Sequence, residues 1–444
     1  MKSTCILTVP FLLATISPVF AAPSLMLNFN SLNQTTQTQP APKEEYIIIL
    51  SNSEKRPWNE VLPALGHLDT SNDIKTFGQT IRGVTMLLNQ TEEARMSKLP
   101  FISSIEKNTK ARIVTTPHTK NATRASTPRL RRRGNVQQNN STWGLERISR
   151  TGKIDLKDRD DMDMVYKYRY DDQFGIGTGV DAYVVDTGID VRHVDFGGRA
   201  KVIFTAFDSD ITDGQGHGTH LSGIIGSKTY GVAKNVNILG CKVFDKHGDG
   251  DINTIMRGID AALASHNKRK SDAGFIASVM NLSLGDLEDS PAMLDLLQRA
   301  STAGMHIVIS AGNDGVDACK KFPAAYNQKI KSLIVVGASD PYDKAADFTN
   351  FGACVDIHAP GVDVMSTYTK GLGMPGDIFP IDGTSQAAPH VAGVIAGQLL
   401  KHKDLRLNPE RMKKLVLSMG LKDIVKGAER GGNLLLNNGM TGNP

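Results

Sequence analysis

Between residues 44 and 114, closely set apolar residues appear in EEYIIIL, in IRGVTMLL and in FISSIEK, with helix-compatible sequence between them. Short apolar runs bounded by polar residues predict strands. Residues 44–114 are therefore expected to form a small α+β domain. Residues 115–142 show little hydrophobic periodicity and read as a linker. From Trp143 to residue 438 the pattern changes. VDAYVVDTGID, VNILGCKVF, FIASVMNLSLG, GMHIVISAGN and SLIVVGAS read as strands, and 253–266, 291–303, 386–401 and 408–419 read as helices. Near-continuous apolar strands separated by helices predict an α/β domain, a parallel sheet with helices on both faces. In such folds the site forms beyond the carboxyl ends of strands. Asp186, Ser283 and Asn313 stand at or just past such ends. Residues 439–444 are a short tail.

The N-terminus changes the picture. Lys2, the apolar run CILTVPFLLATISPVF and the pair Ala21–Ala22 have the order of a cleaved signal peptide, residues 1–21. Residues 22–43, rich in Ser, Asn, Gln, Thr and Pro, read as a disordered lead. No later segment has the length of apolar sequence that a membrane span needs. The protein is thus expected in the secretory pathway, and the same signal serves secretion, the cell surface and the vacuole. The linker carries Arg129-Leu130-Arg131-Arg132-Arg133, accessible between two folded units and hence a candidate processing site. Asn-x-Ser/Thr sequons begin at Asn33, Asn89, Asn121, Asn139 and Asn140; a sixth, at Asn281, heads an apolar strand and is expected to be inaccessible.

Composition excludes several classes. Hydrophobic residues are 40% and charged residues 22%, ordinary for a globular chain, and the formal charge is only +5. The basic residues sit in local runs without a stripe interleaved with aromatics, so no nucleic-acid partner is expected. Of four cysteines, Cys5 leaves with the signal. Three remain, which allows one bridge and one free thiol. Cys241 lies in an apolar run and reads as buried. Cys319 and Cys354 lie in polar, loop-like sequence and are the better pair.

Four stretches carry candidate chemistry. In YVVDTGID, Asp186 closes an apolar strand, where a carboxylate is costly to bury unless paired; a helix cap or turn-former is the plain alternative. In DGQGHGTHLSG, His217 stands among glycines ahead of a helix-like stretch. His217 and His220 at i, i+3 suggest a metal, but no carboxylate set with a known metal spacing accompanies them. In GTSQAAPHVAG, Ser385 stands where a helix starts, close to backbone N–H groups, though serine is also a common helix cap. In SAGND, Asn313 follows a strand and could donate to a developing oxyanion. A serine nucleophile needs a base, and the base needs an orienting carboxylate. The chain supplies them in Asp–His–Ser order, each in a glycine-rich context.

VVDTGID, GHGTHLSGIIGS, NLSLG, SAGN, HAPG and GTSQAAPHVAG together resemble the subtilisin-like serine proteases (subtilases) of the proteinase K and cerevisin group. The resemblance implies a serine endopeptidase with Asp186 as orienter, His217 as base and acid, and Ser385 as nucleophile. Asn313 and the Ser385 N–H would form its oxyanion hole. It also implies that 44–114 is an inhibitory propeptide and 143–438 the peptidase domain, acting as a monomer on protein substrates. Substrate would add as a strand along Ser283-Leu284-Gly285 and Gly248-Asp249-Gly250. The same resemblance supports a Cys319–Cys354 bridge. It matches Asp356 to a calcium-binding aspartate, so a structural calcium is the one cofactor implied and none is required for chemistry.

The chain departs from that group in places. Gln386 replaces the usual methionine after the nucleophile, so a polar amide must find a partner there, and an oxidisable thioether is missing. Asp249, Asp251, Asp286, Glu288 and Asp289 make the substrate edges acidic. Either they are solvated loop charge, or they favour Lys or Arg in the substrate. Leu221 stands where a reactive cysteine is frequent. These departures keep a second class open, a catalytically silent subtilase fold acting in binding or wall assembly. An ester-specific α/β hydrolase fails on residue order and on the absent GxSxG turn.

Overall fold

The run YIIIL is apolar without interruption because both faces of its strand are covered. In the computed structural model this strand, β1 (Glu44–Leu50), is followed by α1 (Trp58–Ala64), β2 (Lys75–Phe77), β3 (Gly83–Leu88), α2 (Gln90–Met96) and β4 (Ile102–Lys107). The four strands form an antiparallel sheet in the order β2-β3-β1-β4. Strand side chains alternate between faces. Tyr46, Ile48 and Leu50 pack with Val61 and Leu65 under the small helices. Ile47 and Ile49 point the other way and join the core of the large domain. Asn89 and Glu92 form a reciprocal capping box that starts α2. The structure describes residues 42–66, 74–113, 116–117, 134–157, 159–370, 377–428 and 431–441. The signal segment and the run Arg129–Arg133 lie outside them.

Two short strands follow, β5 (Lys110–Arg112) and β6 (Thr116–Pro117). Residues 135–141, counted with the linker on sequence, form β7 (Asn135–Ser141), which leads into α3 (Trp143–Ile148) and pairs with β8 (Tyr166–Asp171). Then come β9 (Val180–Asp186), β10 (Ala200–Thr205), α4 (His217–Gly226), β11 (Asn237–Lys242), β12 (Asp249–Asp251), α5 (Ile252–Arg269), β13 (Ala277–Leu282), α6 (Pro291–Thr302), β14 (His306–Ser310) and β15 (Ile334–Ser339). The chain ends through β16 (Ile357–Pro360), the hairpin β17 (Val364–Thr367) and β18 (Ile378–Asp382), α7 (Thr384–Lys401), α8 (Pro409–Met419), β19 (Leu421–Lys422) and β20 (Leu434–Leu435). Every strand and helix expected from residue 143 on is present.

Nine strands form one sheet in the order β10-β11-β9-β13-β14-β15-β16-β20-β19, parallel except at β19. This is the expected α/β architecture, preceded by the small antiparallel sheet. The chain runs outward from β9 to β10, returns through β11, then crosses to β13 and continues the other way. The strand order therefore reverses beside β9, where a crevice opens at the carboxyl ends. All of β9, β13, β14 and β15 is buried, which explains their unbroken apolar runs. Asn281 in β13 is 1% exposed, so its sequon is inaccessible as expected. The helix α7 lies against β13, β14 and β15 on one side and α4 on the other. Fourteen of its eighteen residues are buried, hence its Ala- and Gly-rich sequence. A Cβ on Gly393 would lie 2.5 Å from Cβ of Val232.

The small sheet is held to the large domain by two carboxylates and one amide. Asp260 on α5 is buried and accepts from Gln79 N (2.7 Å), Thr80 N (2.8 Å) and the Thr80 hydroxyl. Glu106 on β4 accepts from Ser290 Oγ at 2.5 Å, at the start of α6. Asn108 Oδ1 accepts from Asn253 N at the start of α5. Hydrogen bonds to an ionised acceptor contribute about 1.5–3 kcal/mol each and a neutral one about 0.5–1.5 kcal/mol, so the Asp260 and Glu106 contacts dominate in fixing the orientation of the small domain.

Candidate active site

Asp186 ends β9 fully buried, and His217 opens α4 at 2% exposure. His217 Nδ1 lies 2.9 Å from both Asp186 carboxylate oxygens. A carboxylate only accepts, so Nδ1 carries a proton, and the neutral imidazole is thereby held in the tautomer whose Nε2 has the lone pair. Asp186 also accepts from Thr187 N at 2.8 Å. The alternative of Asp186 as a mere turn-former does not describe this pairing. His220 is turned elsewhere. Its Nε2 donates to the carbonyls of Val364 and Phe379, both at 2.9 Å. Burial lowers its pKa to about 3, so it is a neutral core residue. The two histidines do not converge on a common point, which removes the metal reading for the pair.

Sequence reasoning passed over Asp213, four residues before His217. It is buried and accepts five hydrogen bonds. Oδ1 takes Thr187 Oγ1 (2.9 Å), Gln215 N (3.1 Å) and Gly216 N (2.8 Å); Oδ2 takes Thr219 N (2.9 Å) and Thr219 Oγ1 (2.6 Å). It ties the turn after Asp186 to the loop and helix that carry His217. The available signal was a carboxylate inside a glycine-rich loop where no solvent-facing role was evident.

Gly383, not Ser385, is the residue ahead of α7, and Ser385 is the second residue of the helix. The ordinary capping role is thereby excluded. Pro389 explains a further contact. It stands four residues after Ser385 and has no N–H to close that turn of the helix. The freed Ser385 carbonyl accepts instead from Ser283 Oγ at 2.8 Å, and Ser283 Oγ itself accepts from Asn281 Nδ2 at 2.9 Å. The Ser385 hydroxyl donates to the Ser283 carbonyl at 3.4 Å. Asn313 Oδ1 accepts from Thr384 N (2.9 Å) and Thr384 Oγ1 (2.8 Å). That fixes the amide plane, leaving Nδ2 as the donor toward Gly383 and the helix start. The structure thus gathers Ser385, Asn313 and Ser283 at the start of α7, and Asp186 with His217 at the start of α4, a helix that packs against α7.

Gln386 is fully buried, and among the described residues neither atom of its amide meets a hydrogen-bond partner. A buried polar group left unpaired costs about 1–3 kcal/mol. Gln386→Met keeps the length and removes the polar atoms. The variant is expected to be more stable by about that amount in thermal unfolding of the inhibited protein, and to lose activity in peroxide faster than the parent. Equal stability would show that the amide is satisfied, and equal peroxide resistance would remove the oxidation claim.

Ser283, Leu284, Gly285, Asp286, Asn313 and Ser385 line a cleft of about 330 Å³, which Arg112 and Ile113 also enter. Both edges expected to receive substrate border on the chain's own leader. β5 pairs antiparallel with β12, Lys110 opposite Asp251, Ala111 opposite Gly250 and Arg112 opposite Asp249, and Ile113 N donates to Gly248 O at 2.8 Å. Across the site, Thr116 pairs with Asp382, three residues before Ser385. The acidic residues divide. Asp249 meets Arg112 at 3.1 Å and Asp251 meets Lys110 at 3.4 Å. Asp286 is paired with Lys321 at 2.7 Å, and Lys321 also reaches Asp314 at 3.4 Å. On the second edge one lysine faces two carboxylates, so that edge keeps a net negative charge.

Cys319 and Cys354 form a disulfide with a Cα–Cα distance of 5.2 Å, and Cys241 is buried and free. Asp356, matched on sequence to a calcium ligand, precedes β16. Its Oδ1 lies 2.7 Å from Lys413 Nζ, and its Oδ2 accepts from Val335 N (2.9 Å) and Asn327 Nδ2 (3.0 Å). No helix among the described residues is long and apolar enough to cross a membrane.

The sequence profile of the Subtilase family (Peptidase_S8) matches residues 177–431. The chain is 38% identical over 303 residues to cerevisin of Saccharomyces cerevisiae, covering 65% of this chain and 45% of that protein. It is 42% identical over 267 residues to the subtilisin-like serine protease Pen ch 18 of Penicillium rubens, covering 59% and 50%. With alkaline protease 2 of Aspergillus fumigatus it shares 39% over 298 residues, covering 64% and 57%. The chain spans about half the length of these curated relatives. Among solved structures, a cold adapted subtilisin-like serine proteinase superposes with a TM-score of 0.57 at 34% identity, covering 67% of this chain and 98% of that one.

Proposed function

Because the chain belongs to the subtilase family, we propose that it is a serine endopeptidase made as a secretory zymogen. The observation that carries this reading is the buried Asp186–His217 contact, with both carboxylate oxygens 2.9 Å from Nδ1. Such a pair holds Nε2 ready to take a proton. In the proposed cycle, the Ser385 hydroxyl turns from the Ser283 carbonyl, gives its proton to His217 Nε2 and attacks the substrate carbonyl. Asn313 Nδ2 and the Ser385 N–H receive the oxyanion, aided by the helix end. The intermediate collapses, the C–N bond breaks, and His217 gives its proton to the departing amine. Water then repeats the sequence on the acyl-enzyme. Asp186 keeps the Nδ1 proton in place throughout.

The leader strand supports the zymogen reading. It is paired on both sides of Ser385 in the manner of a bound peptide, so the maturation cut is assigned to the stretch between Ile113 and Thr116. The run Arg129–Arg133 is a second position for trimming. Substrates are proteins in extended conformation, since a ladder of backbone hydrogen bonds requires no particular sequence. Basic residues in the places of Lys110 and Arg112 are favoured by Asp251 and Asp249. The final compartment is the vacuole, the cell surface or the exterior.

A serine-directed fluorophosphonate is expected to label the matured protein on Ser385, and absence of label would sink the enzymatic reading. With a peptide library, basic residues at the two positions facing Asp249 and Asp251 should be enriched roughly two- to five-fold, the effect of exposed ion pairs. The enrichment should vanish in the Asp249→Asn/Asp251→Asn double variant. A profile indifferent to charge at those positions would remove the specificity claim and leave the catalytic one standing.

A further inference from the structure

Asp356 invites a calcium ion on sequence, and the surrounding residues answer differently. Lys413 reaches from α8 to the corner where β15 and β16 begin. It is 9% exposed. Its ammonium meets Asp356 Oδ1 at 2.7 Å, the Leu333 carbonyl at 2.5 Å and Asn327 Oδ1 at 3.0 Å. An ammonium has three N–H donors and no acceptor. Here the three find a carboxylate, a backbone carbonyl and a side-chain amide oxygen. Those are the hard oxygen donors that calcium takes, but calcium takes 6–8 of them. Waters can complete such a set, but here the three oxygens are already held by a positive charge, while Asp356 Oδ2 and the Cys354 carbonyl are engaged by N–H donors. A divalent ion could enter only by expelling a buried lysine or by lying against it. Among the described residues no group of three His, Cys, Asp or Glu side chains is gathered to hold a metal elsewhere.

We propose that the Lys413 ammonium is a built-in substitute for a structural calcium ion, joining α8 to the entrances of β15 and β16 and making this corner independent of calcium. The consequence is a fold that keeps its stability where calcium is scarce. The roles are complementary. Asn327 fixes the arrangement by donating Nδ2 to Asp356 Oδ2 at 3.0 Å and to the Cys354 carbonyl at 2.9 Å, while its Oδ1 faces the lysine. The disulfide partner Cys354 is therefore tied to the same corner.

The test uses the full chain after fluorophosphonate inhibition, so that self-digestion does not intrude. Melting temperature is read in EGTA and in millimolar calcium chloride, with calcium binding followed by calorimetry. The parent is expected to melt at the same temperature in both and to give no heat of binding that depends on Asp356. Lys413→Ala should melt roughly 5–10 °C lower in EGTA, as expected for breaking a buried ion pair in a domain of this size. Calcium should restore part of that loss, because the three oxygens are then free. Calcium stabilisation of the parent that disappears in Asp356→Asn would overturn the proposal. So would a Lys413→Ala variant that folds and stays indifferent to calcium. If Lys413→Ala does not fold, the parent measurement alone decides.

Discussion

Replacing Ser385 by alanine is expected to lower turnover by about six orders of magnitude, the loss that follows removal of one member of a triad acting as a unit. In a secretory host it should also leave the leader attached. Among the described residues the hydroxyl makes one long contact, 3.4 Å to the Ser283 carbonyl, so its removal should leave the melting temperature nearly unchanged. A folded, uncut protein is then the expected product. Gel size and N-terminal sequencing beside the parent decide the point. If Ser385→Ala is cut between Ile113 and Thr116 as the parent is, another protease performs that step and the intramolecular reading fails. A cut confined to the region after Arg133 would mean that the basic run is served by a second enzyme.

Asn313→Asp is expected to lower kcat by about 10²–10³-fold with little change in KM, the signature of a lost oxyanion donor. Aspartate is the informative replacement. It preserves an acceptor for Thr384 N and Thr384 Oγ1, which Asn313 Oδ1 serves at 2.9 and 2.8 Å. It exchanges the donor for a carboxylate oxygen, whose negative charge adds to the loss at the oxyanion. Asn313→Ala would instead leave the buried Thr384 groups unpaired and mix a packing loss with a chemical one. The measurement is steady-state hydrolysis of a soluble peptide substrate, with unfolding recorded in parallel. A variant within five-fold of the parent kcat would exclude Asn313 from the oxyanion site.

The sheet was legible because parallel strands buried on both faces have to be apolar along their length, as VDAYVVD and the other four runs are. Asp186, His217 and Ser385 were legible because each lies inside one contiguous motif. The contacts that hold them were not. Asp213 looks like any loop aspartate until the fold brings Thr187 and Thr219 to it. The link from Pro389 to Ser283 joins residues far apart in the chain and follows from a missing N–H. The pairing of β5 with β12 sets two short polar stretches side by side, with no hydrophobic period to announce it. Lys413 sits on a helix face where lysine usually reaches solvent; only the positions of Leu333 and Asp356 reveal its burial. Gln386 was recognised as unusual, but its lack of a partner depends on packing that no local pattern encodes.

Asp213 bridges two segments of the site. Fully satisfied buried polar networks stiffen what they join, and its five bonds join the segment behind the carboxylate to the segment behind the imidazole. Asp186 and His217 therefore travel as one mechanical part, while Ser385 rides on a different helix. Agitation that stops short of unfolding alters the spacing between these two parts before it alters the spacing within the first. In the catalytic cycle proposed above, the step exposed first to such motion would be the passage of the serine proton to the imidazole, with the carboxylate–imidazole contact still whole.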